Sequence, residues 1–553
     1  MDQENKGITG MIKEYRVIGP PGTGKTTWMA RQVKAAVEKH GADKVLVTSF
    51  TRAAAKEIAG RDLGINSESS RMVGTLHSLC FHALGKPTIA ESKLEEWNTK
   101  MIHVSSWICL PQGVDLDDLG AIGEAASDGD KLKMKASRWR SLMIPHSRWI
   151  NTPEGLWFEA WKQWCQQEGY TDFTGLIERA LEEVEYAPGY PKVAFIDEVQ
   201  DMSPLELALV RSWGSKMEGI LLAGDPDQSI YGFKGASPRA FYHPEIDEKD
   251  YRILGQGYRV PQSVHAWSTD WIKKASDHRP VEYMPRHGDQ GEVVKINDPA
   301  VNYRTASADC DWFTDLVDKN SSGTMMILAS CAYMLTPSIK ALKDLGVPFH
   351  NPYRSHRGDW NPMRGGVDRV LRFLAPAMSG RVQWTWSELH QWSSIVKAKG
   401  AMKHGAKSLI ESNSKGMLSK IFVKHEELEA MFEKDFYDEA LGHAHDLTSR
   451  PWKWLMDQAA DSGKLLYACN VADRCGWRGL VDQPKVIVGT IHSVKGGQAD
   501  TVLMFPDMSP AAWKEYEADD DGRNGAVRLF YVGATRAASK LILAQRGTQF
   551  SVW

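Results

Sequence analysis

A basic excess is the first thing this 553-residue chain lacks: 67 Lys and Arg stand against 70 Asp and Glu, a formal net charge of −3. That balance excludes a protein that coats nucleic acid through one broad basic face. It leaves open binding inside a cleft, where local charge and stacking outweigh the total. No apolar run approaches the roughly 20 residues of a membrane-spanning helix, and the polar N-terminus has no apolar signal core. Cysteine is scarce, with seven residues (80, 109, 165, 310, 331, 469 and 475) that are odd in number and scattered. Only Cys469 and Cys475 are close, at a spacing that matches no common zinc pattern. Free thiols in a reducing, cytoplasmic compartment are the expectation. Low-complexity tracts and short internal repeats are also missing.

What is present begins with Gly19-Pro20-Pro21-Gly22-Thr23-Gly24-Lys25-Thr26, between a β-branched run at 15–18 and a helical pattern at 27–39. Strand, GxxxxGK[ST] and helix in that order make a phosphate-binding loop. Glycines let backbone N–H groups close around phosphates, and the helix N-terminus adds a favourable dipole. Gly22, Thr23, Gly24, Lys25, Thr26 and Thr27 are therefore the candidate nucleotide contacts. Lys25 is expected to reach the β- and γ-phosphates of ATP, and the Thr26 hydroxyl to ligate Mg²⁺. An apolar strand at 192–196 ends in Asp197-Glu198. Asp197 is expected to hold Mg²⁺ and Glu198 to orient and deprotonate the attacking water. Adjacent carboxylates on a strand point to opposite faces, but at its end the backbone turns and both can address one ligand. Charge on a γ-phosphate in flight also calls for an arginine finger, and Arg259 and Arg536 are the candidates.

Strand–helix alternation surrounds both groups of motifs and implies parallel sheets with crossover helices. It lapses twice, at 91–185 and 355–480, where the pattern turns helical. The first lapse holds seven of the 21 tryptophans. Trp157, Trp161 and Trp164 share one helix face, a core pattern more than a ligand platform. Lys131 to Arg140 interleaves basic and aromatic residues, which suits either strand contact or a solvated helix face. In the second lapse, lysines at 397, 399, 403 and 407 precede an acidic run at 425–439.

Eight segments, GPPGTGKT, SFTRAAAKEI, GTLHSL, DEVQDMSP, GDPDQSIYGFKGA, GYR, GTIHSVKG and YVGATRA, resemble in order and spacing the UvrD/Rep-type helicases of superfamily 1. The resemblance implies two RecA-like parallel-sheet P-loop cores, residues 1–90 with 186–255 and residues 256–354 with 481–553. Each would carry a mainly helical insertion, at 91–185 and 355–480. It implies an ATP- and Mg²⁺-dependent DNA helicase moving 3′→5′ on single-stranded DNA and at junctions with duplex. Gln228 would sense the γ-phosphate, Tyr258 would stack on adenine, and Arg259 and Arg536 would be fingers. Phe50, Thr51, His77, Tyr231, Phe233, Lys234 and His492 would contact the strand. The family pattern has tryptophan where Phe233 stands, arginine at Lys234 and an acidic residue at Gln498, which faces the nucleotide sugar. A glutamine-bearing segment before the P-loop has no counterpart here, and the chain ends at Trp553 with no room expected for a fused nuclease. The second insertion matches relatives poorly, so a translocase without robust unwinding, stripping proteins or serving a nuclease or replication partner, is the alternative. A bacterial or phage-infected cell is the expected setting.

Overall fold

The structure is a computed structural model describing residues 13–49, 72–111 and 126–553. Phe50 and Thr51 lie outside the described residues. The chain divides into two units: the first runs to Val294 and adds Met508–Leu541 and Phe550–Val552, and the second comprises Lys295–Asp507, Ile542–Gln549 and Trp553. Residues 256–294 and 508–541, grouped by sequence with a second core, fall in the first unit.

The first unit is built on six strands: β1 (Glu14–Ile18), β2 (Val45–Ser49), β3 (Val73–Gly74), β6 (Val193–Asp197), β7 (Gly219–Gly224) and β8 (Tyr251–Ile253). Their order is β3-β2-β6-β7-β1-β8 and every pairing is parallel. Parallel strands need crossovers that cover both faces, which is why VLVTS, VAFID and GILLAG read as nearly unbroken apolar runs. One direction for all strands also gathers their carboxyl ends on a single edge. Ile18 is level with Gly224 and Ser49 with Asp197. Ligand-binding loops of open α/β sheets belong at that edge.

The first insertion packs helices Leu94–Lys100, Asp128–Ser141, Pro153–Glu168 and Phe173–Glu183, with a short parallel pair, β4 (Thr88–Ile89) and β5 (Tyr170–Thr171). Trp157 and Trp161 stack at 5.1 Å, Trp97 meets both edge-on, and Trp164 completes the group. All four are buried, so the helix-face tryptophans are core. The Trp161 indole N–H donates to Asp172 (2.9 Å), and Asp172 and Glu178 hold the buried Arg140 guanidinium. The basic stretch before it is absorbed by structure too: Lys135 pairs with Glu154 (2.6 Å) and Lys131 with Asp128 (3.3 Å).

In the second unit β10 (Met325–Ala329) lies between β12 (Val486–Thr490) and β13 (Ala499–Met504), all parallel, and β11 (Phe349–His350) flanks β12. The order closes with β14 (Ala537–Leu543) and β9 (Glu292–Lys295), the strands within which the chain passes between units. A helical insertion interrupts this core as well, around Phe373, Trp384, Trp392 and Phe432. The fold is the expected one, mixed α/β with RecA-like parallel-sheet cores. Among the described residues no helix is long and apolar enough to cross a membrane.

Truncating Trp161 to alanine removes a fully buried ring and the N–H that helps satisfy Asp172. The Trp161→Ala chain should lose about 3–5 kcal/mol from the transition that unfolds the first insertion, read by urea titration. A loss under about 1 kcal/mol would contradict the packing described.

Candidate functional site

The loop after β1 turns tightly because Gly22 and Gly24 both adopt φ of 74°. That left-handed region is strained for residues bearing a Cβ. Thr23 ties the turn by donating its hydroxyl hydrogen to the Pro20 carbonyl (2.8 Å), and the Gly19 N–H donates to Gly224 O (3.0 Å) at the end of β7. Helix Lys25–His40 starts directly from the loop, with Gly24 as its N-cap. Its first turn holds Lys25, Thr26 and Thr27.

Lys25 Nζ stands 3.2 Å from Asp197 Oδ1 and 2.9 Å from Glu198 Oε1. Both carboxylates address one ammonium because Asp197 ends β6 and Glu198 turns into the left-handed region at φ 55°. Burial alone would lower the Lys25 pKa, but the Asp197 and Glu198 charges override it and hold the ammonium well above its ordinary value. Burial raises the Asp197 pKa, Lys25 opposes that shift and the like charge of Glu198 adds to it. A lysine so placed stays a cation beside the glycine turn.

The GYR segment lies against this loop within the same unit. The Tyr258 N–H donates to Gly22 O (2.8 Å), and a Cβ on Gly22 would stand only 2.4 Å from the Cβ of Arg259. A Cβ on Gly24 would meet the Tyr258 ring at 3.9 Å. That ring is 68% exposed, a flat apolar face left open beside the loop.

On the other side, Gln228 Nε2 donates to Asp225 Oδ2 (2.6 Å), and the buried Arg536 donates from Nη2 to Gln228 Oε1 (2.9 Å). The candidates Lys25, Asp197 and Glu198 are thus in contact, Gly22, Gly24, Tyr258 and Arg259 adjoin, and Gln228 and Arg536 form a bonded pair.

Two further residues complete the arrangement. Gln200 is fully buried. Its Nε2 donates to Glu198 Oε2, and its Oε1 accepts from the Asp225 N–H (3.0 Å). It therefore bridges the end of β6 to the loop after β7. His278 Nδ1 lies 2.9 Å from Asp227 Oδ2, bracing the same loop from outside. Neither partnership has a local sequence signal. Gln200 sits inside the quoted DEVQD segment, yet its contacts are set by the neighbouring strand; His278 belongs to no motif.

Of the expected strand contacts, Tyr231, Phe233 and Lys234 come together. The two rings lie 5.9 Å apart, and the Lys234 ammonium sits over both, at 4.9 and 5.6 Å from their centroids. Tyr231 is buried and Phe233 half-buried. His77 is separate, with Glu206 (3.7 Å) and Phe173 as neighbours. In the second unit His492 is buried just after β12, and Gln498 is exposed just before β13.

The Asp225 carboxyl at this edge also has a raised pKa. Burial foremost, and then the charge of Asp227, push its pKa up to about 7, against the Gln228 amide and the Lys25 charge. A carboxyl raised in the folded state contributes stability below its unfolded pKa of about 4 and loses it as pH rises through its folded value. The thermal midpoint of the wild type should therefore fall relative to that of Asp225→Asn between pH 5 and pH 8, by calorimetry (about those values). Parallel profiles for the two proteins would contradict this environment.

Two family models match the chain. The UvrD/REP helicase N-terminal domain covers residues 1–248 and the UvrD-like helicase C-terminal domain covers 485–544, together more than half the sequence. The chain is also similar to ATP-dependent DNA helicase PcrA of Staphylococcus epidermidis, 23% identical over 287 residues, 48% of this chain and 38% of that protein. PcrA of Staphylococcus aureus is 33% identical over 107 residues, 19% of this chain and 15% of its own length. The chain thus spans well under half the length of these relatives. With the P-loop, the DEVQD strand end and the GYR and ATRA arginines gathered at one sheet edge, the chain belongs to the UvrD/Rep-type family of superfamily 1 helicases.

Proposed function

We propose that this chain is an ATP-driven motor that moves 3′→5′ along single-stranded DNA and separates duplex ahead of it. The observation that carries the reading is the Lys25 ammonium shared by Asp197 and Glu198, at 3.2 and 2.9 Å, under a loop lined by Tyr258 and Arg259. Incoming phosphates compete with the two carboxylates for that ammonium. As Lys25 turns to the β- and γ-phosphates, Glu198 is released to accept a proton from the attacking water. Gln200 keeps the far oxygen of Glu198 fixed while this happens. Tyr258 offers its open face to the base. Gln228 and Arg536, already bonded to each other, approach the γ-phosphate together, and Arg259 flanks it from the GYR side. Arginine fingers of this kind are worth on the order of 10³–10⁵ in rate.

The Thr26 hydroxyl at the start of the helix and the buried Asp197 carboxylate at the end of β6 are hard oxygen donors that suit Mg²⁺. Bound there, Mg²⁺ would supply charge neutralisation to the phosphates. In this proposal the cores are 1–90 with 186–255 and 256–354 with 481–553, and the insertions are 91–185 and 355–480. Phe233 and Tyr231 stack or pocket single-stranded bases, contacts worth about 1–3 kcal/mol per base. Lys234, His77, His492, Phe50 and Thr51 contact the strand, and Gln498 faces the sugar of the nucleotide. The cytoplasm is the proposed location.

A second reading keeps the motor and omits unwinding, so that the chain strips proteins from DNA or serves a nuclease or replication partner. It is favoured by residues 249–484, which neither family model covers. Both readings meet one assay, strand displacement on 3′- and 5′-tailed duplexes with ATP or GTP. Product from the 3′-tailed duplex with ATP supports unwinding, and ATP turnover without product supports the second reading. Lys25→Ala should reduce DNA-stimulated hydrolysis to background; retained turnover would reject the site.

A further inference from the structure

A short turn outside every sequence motif closes a ring around Gln228 and Arg536. Helix Gln262–Ile272 ends in this turn, residues 273–279. The Ser276 N–H donates to Asn524 Oδ1 (2.9 Å), and the Asn524 amide donates back to the Ser276 hydroxyl (3.1 Å). Asp277 Oδ1 accepts from Arg528 Nη2 (2.7 Å). Asn524 and Arg528 are buried one turn apart on helix Asp520–Ala534. The next residue reaches the other way. His278 Nδ1 stands 2.9 and 3.1 Å from the two carboxylate oxygens of Asp227, with the side chains only 11% and 13% exposed. An ionised carboxylate only accepts, so Nδ1 is the donor. Arg279 then lies over the buried Tyr242 ring at 4.0 Å, which fixes the exit of the turn.

Both arms of the ring lead to the same pair. The Asp227 N–H donates to Asp225 Oδ1 (3.1 Å), and Asp225 Oδ2 accepts from Gln228 Nε2 (2.6 Å). On the other arm, Arg536 is held by the last turn of helix Asp520–Ala534. Its Nε donates to Val532 O (2.9 Å) while its Nη2 donates to Gln228 Oε1 (2.9 Å). A shift of the turn is therefore felt at Gln228 through Asp227 and at Arg536 through the helix. Satisfied polar networks of this kind specify one geometry. A misplacement of ~1 Å at a reacting centre can cost on the order of 10²-fold in rate.

We propose that His278 is a positioning residue for ATP hydrolysis, holding Asp227 so that Gln228 and Arg536 meet the γ-phosphate together. The inference rests on the motor reading and adds to it a residue that acts through Asp227 rather than on the nucleotide. A histidine that only stabilised the fold would, on removal, weaken binding and turnover alike. A positioning histidine affects the step at the γ-phosphate and spares affinity for the rest of the nucleotide, which falls to Gly22–Thr27 and Tyr258 in that reading.

The test is steady-state ATP hydrolysis by the full chain with saturating single-stranded DNA, with ADP affinity and thermal midpoint measured on each variant. His278→Ala should lower kcat by about 10–100-fold. The KM for ATP and the Kd for ADP should stay within about threefold of the wild type. His278→Asn sets an amide N–H where the Nδ1 hydrogen stands and should recover most of kcat. His278→Gln, whose amide overlays Nε2 instead, should not. Wild-type kcat in His278→Ala would overturn the proposal, as would equal losses in the Asn and Gln variants or a loss carried by KM and ADP affinity. If His278→Ala does not fold, the contrast between Asn and Gln decides. Gln228→Ala, assayed alongside, separates the two readings. Wild-type turnover there would reject the γ-phosphate site and this inference with it, whereas an inactive Gln228→Ala beside a fully active His278→Ala would remove the positioning role alone.

Discussion

The structure turns on one ammonium between two carboxylates. Lys25 begins a helix, Asp197 ends a strand 172 positions later and Glu198 follows it, yet both acids approach Lys25 within 3.2 Å. Charges taken out of water are tolerated only when paired, and stripping one partner from such a group costs about 3–5 kcal/mol. The arrangement therefore holds the P-loop and the end of β6 in register, while leaving the cation available to any stronger anion. It also requires backbone in uncommon conformations. Gly22 and Gly24 have φ of 74° and Glu198 has 55°. For a non-glycine residue such as Glu198 this strain is of order 1–3 kcal/mol, sustained by the ion pair and by Gln200.

From that centre, contacts run outward along the carboxyl edge of the first sheet. Glu198 leads to Gln200, Gln200 to the Asp225 backbone, Asp225 to Gln228, and Gln228 to Arg536. The chain of bonds ties residues from three separate stretches of sequence to the group around Lys25. Parallel strands make this possible, because loops of successive crossovers emerge at one edge. In the proposed motor these discrete hydrogen-bonded steps are the route by which a change at the phosphate would reach Arg536.

Much of this was legible in the sequence. The glycine spacing of Gly19–Thr26 marks a tight turn before a helix, and the apolar strand before Asp197 announces where its carboxylate ends up. The i, i+4, i+7 spacing of Trp157, Trp161 and Trp164 reads as a core face, and the rings are buried. Other features were out of reach because they depend on contacts between distant residues. Gln200 bridges two strands, His278 braces Asp227 from 51 positions away, and Lys234 covers the rings of Tyr231 and Phe233. Periodicity carries no information on such partners. The grouping of 256–294 and 508–541 with the first unit is likewise a matter of packing, not of local pattern. The lysine run and the acidic run of the second insertion were visible as composition, but the exposure of Met417, Leu418, Ile421 and Phe422 between them was not, since 3.6-residue spacing cannot tell a solvent-facing Met417 from a buried one.

The most direct measurement separates nucleotide binding from turnover in Glu198→Gln. Glutamine keeps the shape and the hydrogen bond from Lys25 but cannot take a proton from water. ATP affinity should stay within a few fold of the wild type, while DNA-stimulated hydrolysis falls by on the order of 10²–10⁴. Turnover near the wild-type rate, with binding intact, would contradict the account.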